Sequence, residues 1–488
     1  MEKTSRRQFL RFAGLTAGAA ALAACTKTVE VTREVEKVVT QVVKETVVIE
    51  GESKEVTRVV EKEVTTVVEK VVEAEGKTEV RIARCGWMES EMPFDQQAAA
   101  FNVLAEREED QVTIVFDPAG KSSEDPVLVE MMASGEEIPW NGHNCMTPFL
   151  QLANTINLGT VQPIDPLAET SQYQEAKERL FGEGKFLPSA QGDCSYEGQW
   201  YNWPLQADVD CLIYRKDYFA TVGQNEAPAT MDDLYEVCKE VQEAYKADEV
   251  WGFAPIPNCL WRYPAAMQQV YSVPENLYTD EGLVNIFDEG WYEAMEWTKK
   301  CIDNGLAPQG WETAGGWETI LYPGKLAAEI MMHGEGSRGG MVFGYDKLAM
   351  VPTPIGNPRV TKAGTMFWFS CADLFKAAPY PQATTDFYIW AMDPENSPMG
   401  SGVFKGGKLS AWYYNYENYV SKDDVTRNWA LALLPLLENA KPAPVTPWYG
   451  MENTVIGPQY IAYLRGEKSA EQAMTDAMTE IQANMAAA

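Results

Sequence analysis

Two carboxylates lie two residues apart in a stretch that has the composition of a strand. Asp208 and Asp210 belong to PLQADVDCLIYRKDYF, which begins at Pro204 and ends at Phe219. Alternate side chains of a strand share one face, so both carboxylates face the same way unless a bulge intervenes. Paired carboxyl groups about 5–10 Å apart across a sugar linkage can also cleave it, and Glu335 is a possible partner for Asp208.

Aromatic and polar residues at the ends of predicted strands are the next candidates for a binding site. The chain has 15 Trp and 22 Tyr, which offer flat apolar faces of the kind that sugar rings contact. Trp87 and Glu89 follow the first predicted strand of the globular part, and Asp117 ends the second. These three residues are therefore predicted to contact a ligand.

Metal and phosphate chemistry find little support in the sequence. The two histidines, His143 and His333, are far apart, and no HExxH or CxxC spacing accompanies them. The glycine-rich run GEGSRGG at 334–340 lacks P-loop spacing and a terminal GK[ST], so it is interpreted as a hinge or loop. We expect no catalytic residue, no metal and no cofactor.

The elements that position these residues alternate in type from Thr78 onwards. TEVRIARCGW and QVTIVFDP read as strands, and MPFDQQAAAFNVLA and SEDPVLVEMMASG read as helices. This order predicts a parallel sheet with ligands beyond the carboxyl ends of its strands. Thr230 and Ser469 are predicted to cap two further amphipathic helices.

Several motifs together resemble one known family. PLQADVDCLIYRKDYF, APATMDDL, MMASGEEIPW, YPGKLAAEIMMHGEG and YLRGEKSAEQAMTDA are similar, in order and spacing, to motifs of the bacterial extracellular solute-binding proteins of ABC importers. The sugar-binding, maltose-binding-protein-like group is the most similar, and the resemblance covers about residues 78–488. It implies an α/β fold of two lobes joined by hinge strands, a cleft that closes on a solute, and an ABC permease as partner.

The resemblance also selects ligand-binding residues. Asp208 stands where the group has a ligand-contacting glutamate, and Asp208→Ala is predicted to remove most ligand affinity with the fold intact. Glu335 replaces a stacking tryptophan of the group, so one aromatic platform is expected to be missing. Positions implied in the same way are Asn144, Trp261, Trp368 and Trp448.

The amino terminus resembles an export signal. SRRQFLR, with the paired Arg6 and Arg7, is similar to a twin-arginine signal, and LAAC is similar to a lipobox ending at Cys25. The apolar stretch between them is too short to span a bilayer, which favours a cleaved signal peptide over residues 1–24. We therefore expect an exported protein, anchored through an acylated Cys25 at the outer face of the cytoplasmic membrane.

Residues 25–77 read as a spacer built from an internal repeat. VTREVEKVVTQVVKETVV and VTRVVEKEVTTVVEKVVE, offset by 25 positions, share eleven of eighteen residues. Valine spacing of three and four predicts a helical stalk with a seam suited to self-association, although valine and threonine also favour strands. A disordered charged tether is the alternative.

The globular part is long enough to divide into two lobes. Their predicted bounds are 78–205 with 340–395, and 206–339 with 396–488. Nine cysteines show no compact framework, so those after Cys25 could pair outside the cytosol in a connectivity that stays open.

Composition limits the function classes. A net charge of −31 excludes nucleic acid and other polyanions as partners. The leading interpretation is a binding protein for a sugar or oligosaccharide, without bond chemistry. The alternatives are a binding protein for a cationic ligand such as a polyamine or peptide, a secreted glycoside-cleaving enzyme, and a structural surface protein.

Overall fold

The computed structural model describes residues 40–49, 52–61, 77–84, 94–104, 107, 111–255, 263–311, 320–362, 366–393, 404, 407–446 and 451–487. The chain divides into two compact units, Met1–Glu73 and Ala74–Ala488. Each unit is described by itself. The predicted export signal at Arg6 and Arg7 and the predicted lipidation site at Cys25 lie outside the described residues.

The first unit contains a β-hairpin. Strands β1 (Thr40–Ile49) and β2 (Glu52–Glu61) pair antiparallel, from Thr40 opposite Glu61 to Ile49 opposite Glu52. The prediction of a helical stalk is therefore wrong for these residues. Valine and threonine are stiff, β-branched residues that suit a pleated strand, and here this preference outweighs the helical spacing of the valines.

Both strand and helix elements build the second unit. Its strands are β3 (Thr78–Ala83), β4 (Val112–Asp117), β5 (Trp140–His143), β6 (Ser195–Tyr196), β7 (Gln199–Trp200), β8 (Asn202–Arg215), β9 (Trp251–Phe253), β10 (Leu326–Met332), β11 (Leu348–Val351), β12 (Met366–Asp373) and β13 (Lys441–Pro442).

Its helices surround these sheets. They are α1 (Phe94–Asn102), α2 (Pro126–Ser134), α3 (Pro148–Leu158), α4 (Asp165–Glu169), α5 (Gln174–Phe181), α6 (Pro188–Cys194), α7 (Lys216–Thr221), α8 (Met231–Ala244), α9 (Tyr263–Tyr271), α10 (Glu289–Asp303), α11 (His333–Phe343), α12 (Pro381–Met392), α13 (Tyr413–Tyr419), α14 (Trp429–Asn439), α15 (Gly457–Leu464) and α16 (Ala470–Ala487). Short 3₁₀ turns cover Lys246–Asp248 and Pro274–Asn276, and a π-helical turn covers Glu452–Ile456.

The first lobe contains the predicted parallel sheet. Its strand order is β4-β3-β5, and both pairings are parallel. Helices α1 and α2 follow the strands as predicted, and α2 ends at Gly135, which adopts the left-handed conformation (φ 75°). The alternation of apolar residues in the sequence therefore identified this sheet correctly.

Strand β8 joins the two lobes. All fourteen of its residues are buried. Its first half, Asn202–Val209, pairs with β12, whereas Asp210–Tyr214 pairs with β10 and Leu212–Arg215 with β11. The partner strands thus change between Val209 and Asp210, which makes this point the crossing between the lobes.

The bounds of the two lobes stay a prediction. Strand β11 pairs with Leu212–Arg215, in the half of β8 that also pairs with β10. Helix α12, which follows β12 in the chain, packs against α1, α4 and α5 in the first lobe. On this pairing we place Leu348–Val351 with the second lobe, whereas the predicted bounds place it in the first.

The glycine-rich run is a helix, so the prediction of a hinge or loop there is wrong. GEGSRGG lies within α11, where its glycines allow close packing. A Cβ added to Gly340 would lie 2.3 Å from the ring of Tyr345, and one added to Gly336 would lie 2.7 Å from Cγ of Met350. The small residues here bring the helix close to its neighbours, at the cost in helix propensity that glycine carries.

The two predicted helix caps are confirmed. The Thr230 hydroxyl accepts from the Asp233 amide at 3.1 Å, and the Ser469 hydroxyl accepts from the Gln472 amide at 3.2 Å. The apolar stripe of α16, which includes Ala473, Met474 and Ala477, is buried in the core as expected. In the described part of the chain, no helix has the length and apolar character needed to cross a membrane.

The cysteines differ in state. Cys145 is disulfide-bonded. Thiols are carried by Cys194, Cys211, Cys238, Cys301 and Cys371, all of them buried. The eight cysteines after Cys25 therefore do not all pair with one another, because five of them are thiols.

Candidate functional site

One edge of the first-lobe sheet carries two of the predicted ligand residues. In the register of the sheet, Ala83 of β3 lies opposite Asp117 of β4 and His143 of β5. Asn144 follows β5 directly and is fully buried. Its backbone N–H donates to the Ala83 carbonyl at 3.2 Å. Asp117 and Asn144 therefore lie at the carboxyl ends of neighbouring parallel strands, where α/β proteins place ligands.

Asp117 is held by groups of its own lobe. The Trp140 indole N–H donates to Oδ2 at 2.9 Å and the Ala119 amide donates to Oδ1 at 2.9 Å. The Arg81 guanidinium lies 3.6 Å from Oδ2. The Trp140 hydrogen bond is the largest cause of a lowered pKa at Asp117, so this carboxyl is ionised at neutral pH.

At the lobe crossing, Asp208 lies in a buried charged cluster. The Lys408 ammonium is 3.4 Å from Oδ2, and His333 Nδ1 is 3.1 Å from Oδ1. The side chains of Asp208 and Lys408 are each 5% exposed and that of His333 is fully buried. The negative charge of Asp208 is thus compensated by the Lys408 ammonium.

Two segments besides β8 position this cluster. His333 is the first residue of α11, which begins directly after β10, so Asp208 lies close to the positive end of a helix dipole. The second segment carries Lys408. The residue after it, Leu409, forms an isolated β-bridge with Ala207 of β8. A Cβ added to Gly334 would lie 2.8 Å from Lys408 Nζ and 3.3 Å from Asp208 Oδ1. Glycine therefore leaves the space that the lysine ammonium occupies.

Glu335 belongs to the same cluster. Its Oε1 lies 2.6 Å from Arg338 Nη1, and the Tyr322 hydroxyl donates to Oε2. Burial raises the pKa of Glu335, while the charges of Arg338 and Lys408 and the Tyr322 hydrogen bond lower it. The charges of Asp208 and Lys408 act on Glu335, so the two carboxylates singled out by the sequence are brought into one neighbourhood.

The chemistry that this cluster offers is polar recognition. It presents carboxylate, hydroxyl and cationic donor groups at fixed positions, and the rings of His333 and Trp429 pack beside them with centroids 5.6 Å apart at 30°. Buried polar groups of this kind discriminate between ligands by their hydroxyl pattern, since an unmatched group would remain without a partner. The Asp208–Lys408 pair makes the cluster less suited to a cationic ligand than Asp208 alone would be.

Of the nine predicted ligand residues, four form two pairs, one lies beside Asp208, and four are outside the described residues. Asp208 and Glu335 lie together at the crossing, and Asp117 and Asn144 lie together at the edge of the first-lobe sheet. The backbone of Trp368 in β12 pairs with Asp208. Four predicted residues lie outside the described residues: Trp87, Glu89, Trp261 and Trp448.

Sequence reasoning missed four residues of the cluster. Lys408 is 200 positions from Asp208 and no local motif marks it. His333 lacks the spacing of a metal ligand, and nothing in the sequence marks it as a neighbour of Asp208. Tyr322 and Arg338 bind Glu335, and only the spacing of Glu335 and Arg338 on one helix face gives a signal in the sequence.

Other features of the structure add no predicted ligand residue to this cluster. Burial lowers the pKa of His143 to about 4, so this histidine is neutral at physiological pH. A cavity of about 310 Å³ lies beside β11 and α14; Trp429 lines it, but none of the predicted ligand residues does. Among the residues that the structure describes, no group of three or more His, Cys, Asp or Glu could hold a metal ion.

Comparison with known families gives a match over most of the chain. The family described as bacterial extracellular solute-binding protein matches residues 97–402. That range includes β4 to β12 and all of the cluster at the crossing except Lys408 and Trp429.

Solved structures of similar fold include a named sugar-binding protein and complexes with maltose and cycloalternan. Maltose-bound MalE3 of T. maritima is 17% identical, with a TM-score of 0.64, and 83% of this chain and 99% of that chain are covered. The sugar-binding protein MalE of Xanthomonas citri is 16% identical, with a TM-score of 0.66, covering 84% and 98%. An ABC substrate-binding protein of Listeria monocytogenes in complex with cycloalternan is 16% identical, with a TM-score of 0.65, covering 84% and 99%. At these identities the likeness establishes the two-lobe fold.

Proposed function

The chain belongs to the bacterial extracellular solute-binding proteins, an exported family, and we propose that it captures a sugar or oligosaccharide between its two lobes and delivers it to an ABC permease. The family match carries this proposal. Structures with the same fold suggest the ligand class, because two of them hold maltose and cycloalternan. Differential affinity for the closed state is all that such a mechanism requires.

The ligand site that we propose combines the two described clusters. Asp208 and Glu335 would accept hydrogen bonds from sugar hydroxyls, as would Asp117 and Asn144 from the first lobe. The proposed aromatic faces are Trp87, Trp261, Trp368 and Trp448, with Glu89 as a further hydrogen-bonding group. Because Glu335 is bound by Tyr322 and Arg338, it serves this site as a fixed acceptor.

A thermal-shift screen tests the ligand class. We expect maltose, mannotriose or a cyclic gluco-oligosaccharide to raise the melting temperature, because a ligand at 100 times its Kd adds about 2.7 kcal/mol to the free energy of unfolding. Spermidine and a basic peptide should leave the melting temperature unchanged at moderate ionic strength. A shift with spermidine that disappears in salt, and none with any sugar, would contradict the proposal.

Variants locate the ligand. Trp261→Ala should abolish the sugar-induced shift while leaving the ligand-free melting temperature nearly unchanged. Trp251→Phe is the matched control, since this half-buried tryptophan begins β9 and is not among the proposed contacts. Equal sugar-induced shifts in both variants would remove Trp261 from the site.

We further propose that the mature protein is anchored by lipid on Cys25 after a twin-arginine signal containing Arg6 and Arg7. The motifs SRRQFLR and LAAC support this. Cys25→Ser should move the protein from the membrane fraction to the medium or periplasm, because acyl chains provide the anchor. Arg6→Lys with Arg7→Lys should instead retain precursor in the cytoplasm. Membrane association that survives Cys25→Ser would contradict the anchor.

A further inference from the structure

Cys194 and Cys371 form a pair of thiols that are not among the proposed ligand contacts. Their sulfur atoms lie 3.5 Å apart, and both side chains are fully buried. Cys194 is the last residue of α6, and Cys371 lies in β12 directly after the register shift at Ser370. The pair therefore connects a helix to a strand that runs beside β8.

The backbone on both sides of the pair is fixed. Beside Cys194, the Asp193 carboxylate accepts from the Phe369 amide of β12 at 2.8 Å. Cys371 exchanges two backbone hydrogen bonds with Met146, at 2.7 and 2.9 Å. The Asp193 bond holds α6 to β12 and the Met146 bonds fix β12, all independently of the sulfur atoms, so the two thiols face each other as a consequence of the fold.

We infer that Cys194 and Cys371 form a disulfide in the exported protein. A disulfide needs its sulfur atoms about 2.05 Å apart, so the two must approach by roughly 1.5 Å, which small side-chain rotations can supply. Members of an extracellular family work in an oxidising compartment, where such pairs persist. Cys145, next to Met146, is already disulfide-bonded in the same lobe.

The oxidation balances with an external disulfide as oxidant. One thiolate attacks a small-molecule disulfide or a disulfide oxidoreductase and forms a mixed disulfide, with one thiol leaving. The second thiolate then attacks the protein sulfur of that mixed disulfide, and the other half of the oxidant leaves as a thiol. Two electrons pass to the oxidant, and its two thiols take up the two protons that the protein thiols release.

The reaction requires both thiols to be exposed. Burial raises the pKa of both thiols, which leaves almost no thiolate in the folded protein. Burial also blocks an approaching oxidant. We therefore expect the bond to form in the oxidising compartment while α6 and β12 are transiently apart, and to exchange very slowly once they are packed.

The test is a peptide map of the full-length exported protein. The protein is denatured without reductant in the presence of an alkylating reagent and digested, and a second sample is refolded from denaturant in a glutathione redox buffer. We expect a linked peptide pair containing Cys194 and Cys371 in both samples. Reductant added during refolding should leave Cys194 and Cys371 as unlinked thiols.

Variants identify the partners. Cys194→Ser should make Cys371 available to the alkylating reagent, and Cys371→Ser should do the same for Cys194. The matched control is Cys238→Ser, a buried cysteine of α8, which should leave the linked pair intact. Alkylation of both Cys194 and Cys371 in the exported wild-type protein and after oxidative refolding would overturn the proposal, and this readout needs no variant to fold.

Discussion

Replacing Asp208 with alanine should lower the free energy of unfolding by about 3–5 kcal/mol, because it leaves the Lys408 ammonium buried without its carboxylate. The sequence predicted a loss of ligand affinity with the fold intact. The buried ion pair leads us to expect both effects. Urea denaturation of the ligand-free protein measures the stability loss, and calorimetric sugar titration of the same variant measures affinity.

Matched variants separate the ion pair from general disturbance. Asp208→Ala combined with Lys408→Met should recover most of the lost stability, since apolar side chains often replace a buried ion pair with little change. Glu243→Ala is the control, because its pair with Lys246 is exposed on both sides and should change stability by less than about 0.5 kcal/mol. If Asp208→Ala is as stable as Glu243→Ala, the pair with Lys408 does not contribute to the fold.

The free energy of unfolding should fall as pH rises from about 5 to 8. Burial raises the pKa of Glu329 to about 8, with the charge of Glu335 adding to the rise. Burial also raises the pKa of Asp193 to about 8 and that of Asp373 to about 7. In the unfolded chain these carboxyl groups ionise near their ordinary values of 4.5 and 3.8.

The direction follows from proton binding. Between the two pKa values the folded protein holds a proton that the unfolded chain has lost, so the stabilisation is complete below the unfolded pKa and is lost as pH rises through the folded pKa. Each such group contributes up to about 1.4 kcal/mol per pH unit in that window. Carboxyls with lowered pKa, such as Asp117, act in the opposite sense, but at lower pH.

Glu329→Gln isolates one of these groups. The variant should match the wild type near pH 5 and should be more stable than it at pH 8, because glutamine carries no charge to bury. Glu236→Gln, at an exposed position of α8, should show the wild-type pH dependence. Chemical denaturation at several pH values measures all three proteins. An unchanged slope in Glu329→Gln would show that this carboxyl does not stay protonated in the folded state.

Local patterns predicted the elements that local residues determine. The alternating apolar residues of β3 and β4, the Pro and Gly that bound α2, and the capping residues Thr230 and Ser469 gave the correct elements. The valine repeat did not, because valine at spacings of three and four satisfies a helical seam while its side chain prefers a strand. The glycines of α11 were also misread, since their role depends on neighbours such as Tyr345 that the sequence does not place beside them.

The site shows the same division. The sequence identified Asp208 and Glu335 from their positions and from the resemblance, and the structure brings them together. It could not identify Lys408, because the contact with Asp208 is made by two segments that are 200 positions apart. Compensation of a buried charge is a property of the folded chain, so the stability role of Asp208 became visible only in three dimensions.

The course of β8 has a consequence for synthesis on the ribosome. Arg215 leaves the ribosome long before residues 326–332 and 366–373, which form β10 and β12 on either side of β8. At the usual translation rates the wait for Asp373 is roughly 10–30 seconds. During that interval a fourteen-residue strand that is entirely buried in the folded protein is without its neighbours, and pairings this distant in sequence form slowly. Nascent chains of this protein should therefore depend on chaperone binding near residues 202–215 until β12 has left the ribosome.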